Sequence, residues 1–330
     1  MVSMQDIANR LHVSRSTVSL VLSGKAGSKV SDAVKKEVIR TAKEMNYHVN
    51  SLARSLRTGE SKVISVIVTD ISNEFFGHLT FHIQEEAKKA GYLVMTINSN
   101  ESTDEFDDAV IAMMGKKVDG FIVVPTPGGS DSVGRILEQG VPIVTVDRLC
   151  EGLNVDYVGV DNYDSARQAV EGLIADGYRR IAMVGLDLDI TPLNERLAAY
   201  EDALDQAGLG DSKNIIKLRF GDSEDASIDS ALPLLKDADA VFFTSRRAFT
   251  HTMTRAGIQG VSLGRDICLL CYDEIGAYIS LSDNIRYVEQ PIEEMARKAF
   301  ELLIAQIKGN RSMGRYIFST TCIQGKKTIR

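Results

Sequence analysis

From Lys62 onward, short runs rich in β-branched residues alternate with amphipathic stretches of helical length, which confines most of the chain to an α/β body with parallel sheets. Val63–Val68, Tyr92–Ile97, Gly120–Val124 and Pro142–Val146 read as strands, with helices expected near 77–90, 104–115 and 131–139. A second series keeps the same rhythm. Arg180–Val184, Ile215–Leu218, Asp239–Phe243 and Ile267–Cys271 alternate with helices near 165–176, 193–207, 226–235 and 249–256. Two similar lobes are implied, and a helix Pro291–Lys308 with strands Arg315–Phe318 and Cys322–Gln324 would return chain to both.

What precedes Lys62 differs in charge. The net charge of −7 hides an asymmetry: residues 1–62 carry eleven Lys/Arg against five Asp/Glu, a surplus of +6, and the remainder stands at −13. A basic head suits phosphate backbone, whereas an acidic body repels it and must bind something else. The longest apolar runs fall far short of the ~20 residues of a membrane span, and Asp6, Arg10 and Arg15 interrupt any signal-like segment, so a cytoplasmic protein is expected. Four cysteines are too few for a disulfide scaffold and read as buried thiols.

Within the head, Ser3 and Asp6 resemble a capping box opening a helix Met4–Leu11. Ser14 would cap a second helix, Arg15–Leu22, ended by Gly24, and Ser31 a third carrying Val34, Val38, Ile39, Ala42 and Met45 inward. This is a helix-turn-helix pattern. In such a unit the second helix enters the major groove, so Arg15, Ser16 and Thr17 are candidates to touch base edges, Arg15 foremost. A small solvated bundle would show the same three helices. The stretch Asn50–Gly59 is too short for a stable isolated helix; Leu52, Ala53 and Leu56, beside Arg54 and Arg57, suit a conditional minor-groove wedge, and a plain linker is the alternative.

Ser14-Arg-Ser-Thr-Val-Ser19, Val30-Ser31, Asn46-Tyr47 and Asn50-Ser-Leu-Ala-Arg-Ser-Leu-Arg-Thr-Gly59 closely resemble the head and hinge of LacI/GalR bacterial transcription regulators. The resemblance continues through Asp70–Phe76, Val118–Ile122, Val146-Asp-Arg148, Gly159–Asn162, Arg196-Leu-Ala198, Tyr272-Asp273 and Gln290-Pro291. It implies a helix-turn-helix head (1–49), a hinge helix and linker (50–61) and a two-lobed body like periplasmic binding proteins (62–330). The lobes would comprise about 62–161 plus 290–318, and 162–289 plus 319–330. It further implies a homodimer reading a pseudo-palindromic operator in double-stranded DNA. Operator contacts fall on Ser14, Arg15, Ser16, Thr17, Ser19, Lys29, Ser31, Asn50, Ala53, Arg54 and Arg57, with Leu56 intercalating. Leu20 replaces the usual arginine and Val49 the usual proline.

Ligands of open α/β sheets sit at the carboxyl ends of strands. Those ends offer Asp70, Asn73, Phe75 and Phe76, then Asp147 and Arg148, then Ser245, Arg246 and Arg247, then Asp273, a set suited to a polar ring ligand. The family's effector roles match Phe75, Phe76, Arg148, Arg196 and Asp273; lobe core is the plainer reading of the phenylalanines, and a helix cap that of Asp273. Ser245-Arg246-Arg247 stands where many members have an Asn-Asp pair. Three guanidiniums, Arg148, Arg196 and Arg246, facing the Asp273 carboxylate imply an anionic effector such as a sugar phosphate or sugar acid, unless Arg246 and Arg247 point to solvent.

An enzyme would need a nucleophile with its base, or a metal cluster. His78 and His82 lack a companion ligand motif, and Cys268 and Cys271 should point to opposite faces of a strand. No cofactor is expected. The reading is a repressor of carbohydrate-utilisation genes, released from DNA by a small sugar-like effector; a solute-binding protein without DNA function is the alternative for the body alone.

Overall fold

A computed structural model describes residues 2–47, 59–219, 221, 224–261, 263, 267–280, 284–310 and 313–324. The chain divides into two compact units, Met1–Ser61 and Lys62–Arg330.

In the first unit, helices α1 (Met4–Leu11), α2 (Arg15–Leu22) and α3 (Asp32–Glu44) enclose a core of Ile7, Ala8, Val18, Val21, Val38 and Ala42. The capping box is present: the Asp6 amide donates to Ser3 Oγ at 3.3 Å while the Ser3 amide donates to Asp6 Oδ2 at 2.8 Å. His12, at φ 54°, ends α1 in the left-handed region and makes the tight turn to Ser14. Ile39, expected inward, is 57% exposed, because Val38 and Ala42 already fill the face that α3 turns to the core.

The second unit holds two six-stranded sheets. The first contains β1 (Val63–Val68), β2 (Leu93–Asn98), β3 (Gly120–Val123), β4 (Ile143–Val146), β5 (Asp156–Val160) and β11 (Arg315–Phe318), in the order β11-β5-β4-β3-β1-β2 and all parallel. The second contains β6 (Ile181–Leu186), β7 (Asn214–Leu218), β8 (Ala240–Phe243), β9 (Cys268–Tyr272), β10 (Ile285–Glu289) and β12 (Thr321–Gln324), in the order β12-β10-β9-β8-β6-β7, parallel except for β12.

Each sheet is covered on both faces, which is why its strands read as continuous apolar runs. Along β1, Ile64, Val66 and Val68 pack under the helices Glu74–Lys89 and Ile292–Ile307, whereas Ile67 faces the helices Thr103–Gly115 and Ser130–Glu138. Along β9, Cys268 and Cys271 lie in clusters on opposite faces. Cys150, Cys268 and Cys271 are buried, but Cys322 is exposed on the edge strand β12, where only one flank is covered.

Two strands, β5 and β10, carry polar residues that mask them in the sequence. Asp156 is 1% exposed yet satisfied, accepting from Gln306 Nε2 and from the Gly314 amide, both at 2.8 Å. Among the described residues no helix is long and apolar enough to cross a membrane.

Candidate functional site

The carboxyl ends of both sheets converge on one cleft. An inner cavity of about 70 Å³ is lined by Asp70 and Asn73 after β1, Glu101 after β2, Asp147 and Arg148 after β4, Arg196 on the helix Thr191–Gln206, Arg247 after β8, and Asp273 after β9. A second cavity of about 410 Å³ adjoins it, sharing Phe75, Asp273 and Gln290 and adding Arg246. Glu101, Asp147 and Asp273 have φ of 59°, 67° and 89°, a region side chains other than glycine rarely adopt. Held strain of this kind gathers at functional positions, and all three residues line the inner cavity.

Arg196 is 4% exposed and held in a fixed fork: Nε and Nη2 donate to Asn162 Oδ1 at 3.0 and 2.7 Å, and Nη1 to the Thr244 carbonyl at 2.8 Å. Its guanidinium stacks 3.5 Å over the Tyr272 ring. None of these hydrogen-bonding partners is charged. Three of its five N–H donors are used, which leaves donors for a ligand.

The other arginines are spent on carboxylates. Arg148 meets both oxygens of Glu101 at 2.6 Å, Arg247 is held by Glu224 at 2.7 Å with Asp70 at 3.3 Å, and Arg246 pairs with Glu74. The inner cavity is therefore lined by the guanidiniums of Arg148, Arg196 and Arg247 against the carboxyls of Asp70, Glu101, Asp147 and Asp273. Among the described residues the expected surplus of positive charge is absent. It was inferred from three arginines set against the single carboxylate of Asp273, and the arginines' further partners come from segments 47, 172 and 177 residues away. Arg246 and Arg247 do not point to solvent either.

Burial pushes Asp147 up to about 6, although Arg148 and Arg196 act against it, and burial likewise raises Asp273 despite Arg196 and the Gln290 amide. Burial would also raise Glu224, but its bonds to His251 and Arg247 outweigh that and hold it down to about 2. Asp273 accepts from Gln290 Nε2 at 2.5 Å and from the Arg246 amide at 3.3 Å, so it also serves the start of the helix Arg246–Ile258.

Of the cleft residues expected from sequence, Asn73, Phe75, Phe76, Asp147, Arg148, Arg196, Ser245 and Asp273 line the inner cavity, and Arg246 the adjoining one. Asn73 and Ser245 are helix caps, accepting from the Phe75 amide at 3.2 Å and the Ala248 amide at 3.3 Å. Phe75 and Phe76 belong to both wall and core, edge to face at 5.1 Å. The sequence reading missed Glu101, Asn162 and Glu224 as partners; the only hint of Asn162 was its motif, Gly159–Asn162.

In the head, Arg15, Ser16 and Lys29 are exposed and Ser19 is half-buried. Ser14 and Ser31 are caps, Ser14 Oγ accepting from the Thr17 amide at 3.0 Å and bonding the Thr17 hydroxyl at 2.9 Å, which ties Thr17 to the cap. Asn50, Ala53, Arg54, Leu56 and Arg57 lie outside the described residues. Among the described residues no cluster of three or more metal-ligating side chains occurs.

Residues 3–50 match the bacterial regulatory proteins of the lacI family, and residues 61–236 the periplasmic binding proteins and sugar binding domain of the LacI family. The HTH-type transcriptional regulator PtxS of Pseudomonas putida is 28% identical over 318 residues, covering 96% of this chain and 92% of that protein. The ribose operon repressor of Haemophilus influenzae is 28% identical over 327 residues, covering 98% and 97%. The lac repressor dimer bound to operator and the anti-inducer ONPF shares the fold, with a TM-score of 0.82 at 19% identity over 100% of this chain and 99% of that one. The chain thus belongs to the LacI family of bacterial regulatory proteins, DNA-binding transcription regulators rather than enzymes.

Proposed function

We propose that this regulator represses carbohydrate-utilisation genes as a homodimer and leaves its operator when a small sugar binds the inner cavity. The observation that carries the effector class is the Arg196 fork, fixed by neutral oxygens over Tyr272 and flanked by the buried carboxyls of Asp147 and Asp273. Guanidinium donors beside carboxylate acceptors match the alternating donor and acceptor character of sugar hydroxyls. A neutral sugar is favoured over a sugar phosphate or sugar acid, because Glu101 and Glu74 already neutralise two of the arginines on which the charge argument rested. The ribose operon repressor among its relatives supports the same class.

In this reading Arg15 and Ser16 read base edges, Ser19 and Lys29 also contact the operator, and Leu56 wedges the operator centre. Lobe movement changes the spacing of two hinges in the dimer. A thermal-shift screen of neutral sugars, sugar phosphates and sugar acids tests the effector class, since a ligand at 100 times its Kd adds ~2.7 kcal/mol of stability. Stabilisation by a neutral sugar, lost in Arg196→Ala, is expected; stabilisation by anionic compounds alone would overturn the preference for a neutral ligand.

A further inference from the structure

Two helices begin on opposite sides of the cleft, Glu74–Lys89 in the first lobe and Arg246–Ile258 in the second. A helix N-terminus carries positive partial charge, so Glu74 sits well at the start of one and Arg246 and Arg247 sit badly at the start of the other. Arg247 has Glu224 in its own lobe as compensation, at 2.7 Å. Arg246 finds in its own lobe the Glu274 carbonyl, and its carboxylate partner is Glu74 across the cleft. The Arg246 side chain is 12% exposed with Glu74 against it, so parting the lobes would break this ion pair and leave the guanidinium to solvent, the Glu274 carbonyl and the neighbouring Asp273, which serves the same helix start. Asp70 adds a second rung, 3.3 Å from Arg247.

We propose that Glu74–Arg246 and Asp70–Arg247 form an ionic latch that holds the two lobes together before any effector enters. The cleft is then closed in advance, and the latch, not the effector alone, sets its closed population. Because Glu74 is half exposed, salt screens this pair and loosens the latch. The inference stands on the lobe contacts and is independent of which sugar the cavity takes.

The test uses the full-length, ligand-free protein with Cys322→Ser, spin labels on Lys116→Cys and Lys236→Cys at exposed positions of the two lobes, and dilution with unlabelled protein. Pulsed dipolar spectroscopy at about 50 mM salt is expected to give one narrow interlobe distance, which lengthens and broadens at about 1 M. Glu74→Arg should broaden it at low salt, and Glu74→Arg with Arg246→Glu should restore the narrow form. A distribution indifferent to salt and to Glu74→Arg, or one that the double exchange fails to restore, would overturn the latch.

Discussion

Arg148 and Glu101 are joined fork to fork, Nη1 and Nη2 each 2.6 Å from a separate carboxylate oxygen, with 7% and 9% of the two side chains exposed. This pair fastens the end of β4 to the end of β2 at the floor of the cleft. Removing one member of a buried pair leaves the other charge stranded, so Glu101→Gln should cost about 3 kcal/mol of stability. Urea unfolding checks this; a loss under about 1 kcal/mol, the range of an exposed pair, would mean that Arg148 is solvated in the native state.

Asp147 gives the protein a pH signature. Its carboxyl, raised to about 6 by burial, holds in the native state a proton that the unfolded chain releases near pH 4. Its contribution to stability is therefore complete below about pH 4 and lost as pH rises through about 6. Asp147→Asn, which tolerates the left-handed backbone, should gain on the parent protein over that window, by about 2–3 kcal/mol at neutral pH. Denaturation curves at intervals from pH 4 to 8 measure the difference; a gap that does not change with pH contradicts a buried, raised Asp147.

Arg196→Lys separates fork geometry from charge. Lysine keeps the cation but loses the planar donor pair and the stacking on Tyr272. Calorimetric titration with the sugar found by the thermal-shift screen should show affinity falling at least tenfold, about 1.4 kcal/mol, with the fold intact. Unchanged affinity would move the effector away from Arg196.

The legible part of this fold was its fully apolar strands, because parallel strands covered on both faces carry few polar residues. β5 and β10 escaped notice for the opposite reason. Asp156 opens β5, yet its partners Gln306 and Gly314 lie 150 and 158 residues further along, out of reach of any local pattern. The cleft shows the same division. Strand-end positions revealed Asp147, Arg148 and Asp273, but which carboxylate each arginine meets depends on segments distant in the chain, and without those pairings a balanced cavity reads as a positive one. Gly159, recognised only as part of a motif, has a steric cause: a side chain there would collide with the Tyr157 phenol, which donates to the Asp147 carbonyl at 3.1 Å.

The head offers two substitutions with opposite signatures. Arg15→Ala should leave stability unchanged, relax base preference and cost ~1–3 kcal/mol of operator affinity. Ser14→Ala removes the cap of α2 and should cost about 1 kcal/mol of stability. Selection from a randomised operator library, paired with thermal unfolding, distinguishes them; a consensus unaltered by Arg15→Ala would refute its base-reading role.

Fluorescence anisotropy of the full-length protein on its selected operator, titrated with the stabilising sugar, tests whether the cleft controls the head. Operator affinity is expected to fall at least tenfold when the sugar saturates, and Arg196→Ala should bind operator normally while ignoring the sugar. An operator Kd that does not move when the sugar fills the cavity of the unsubstituted protein would contradict the account.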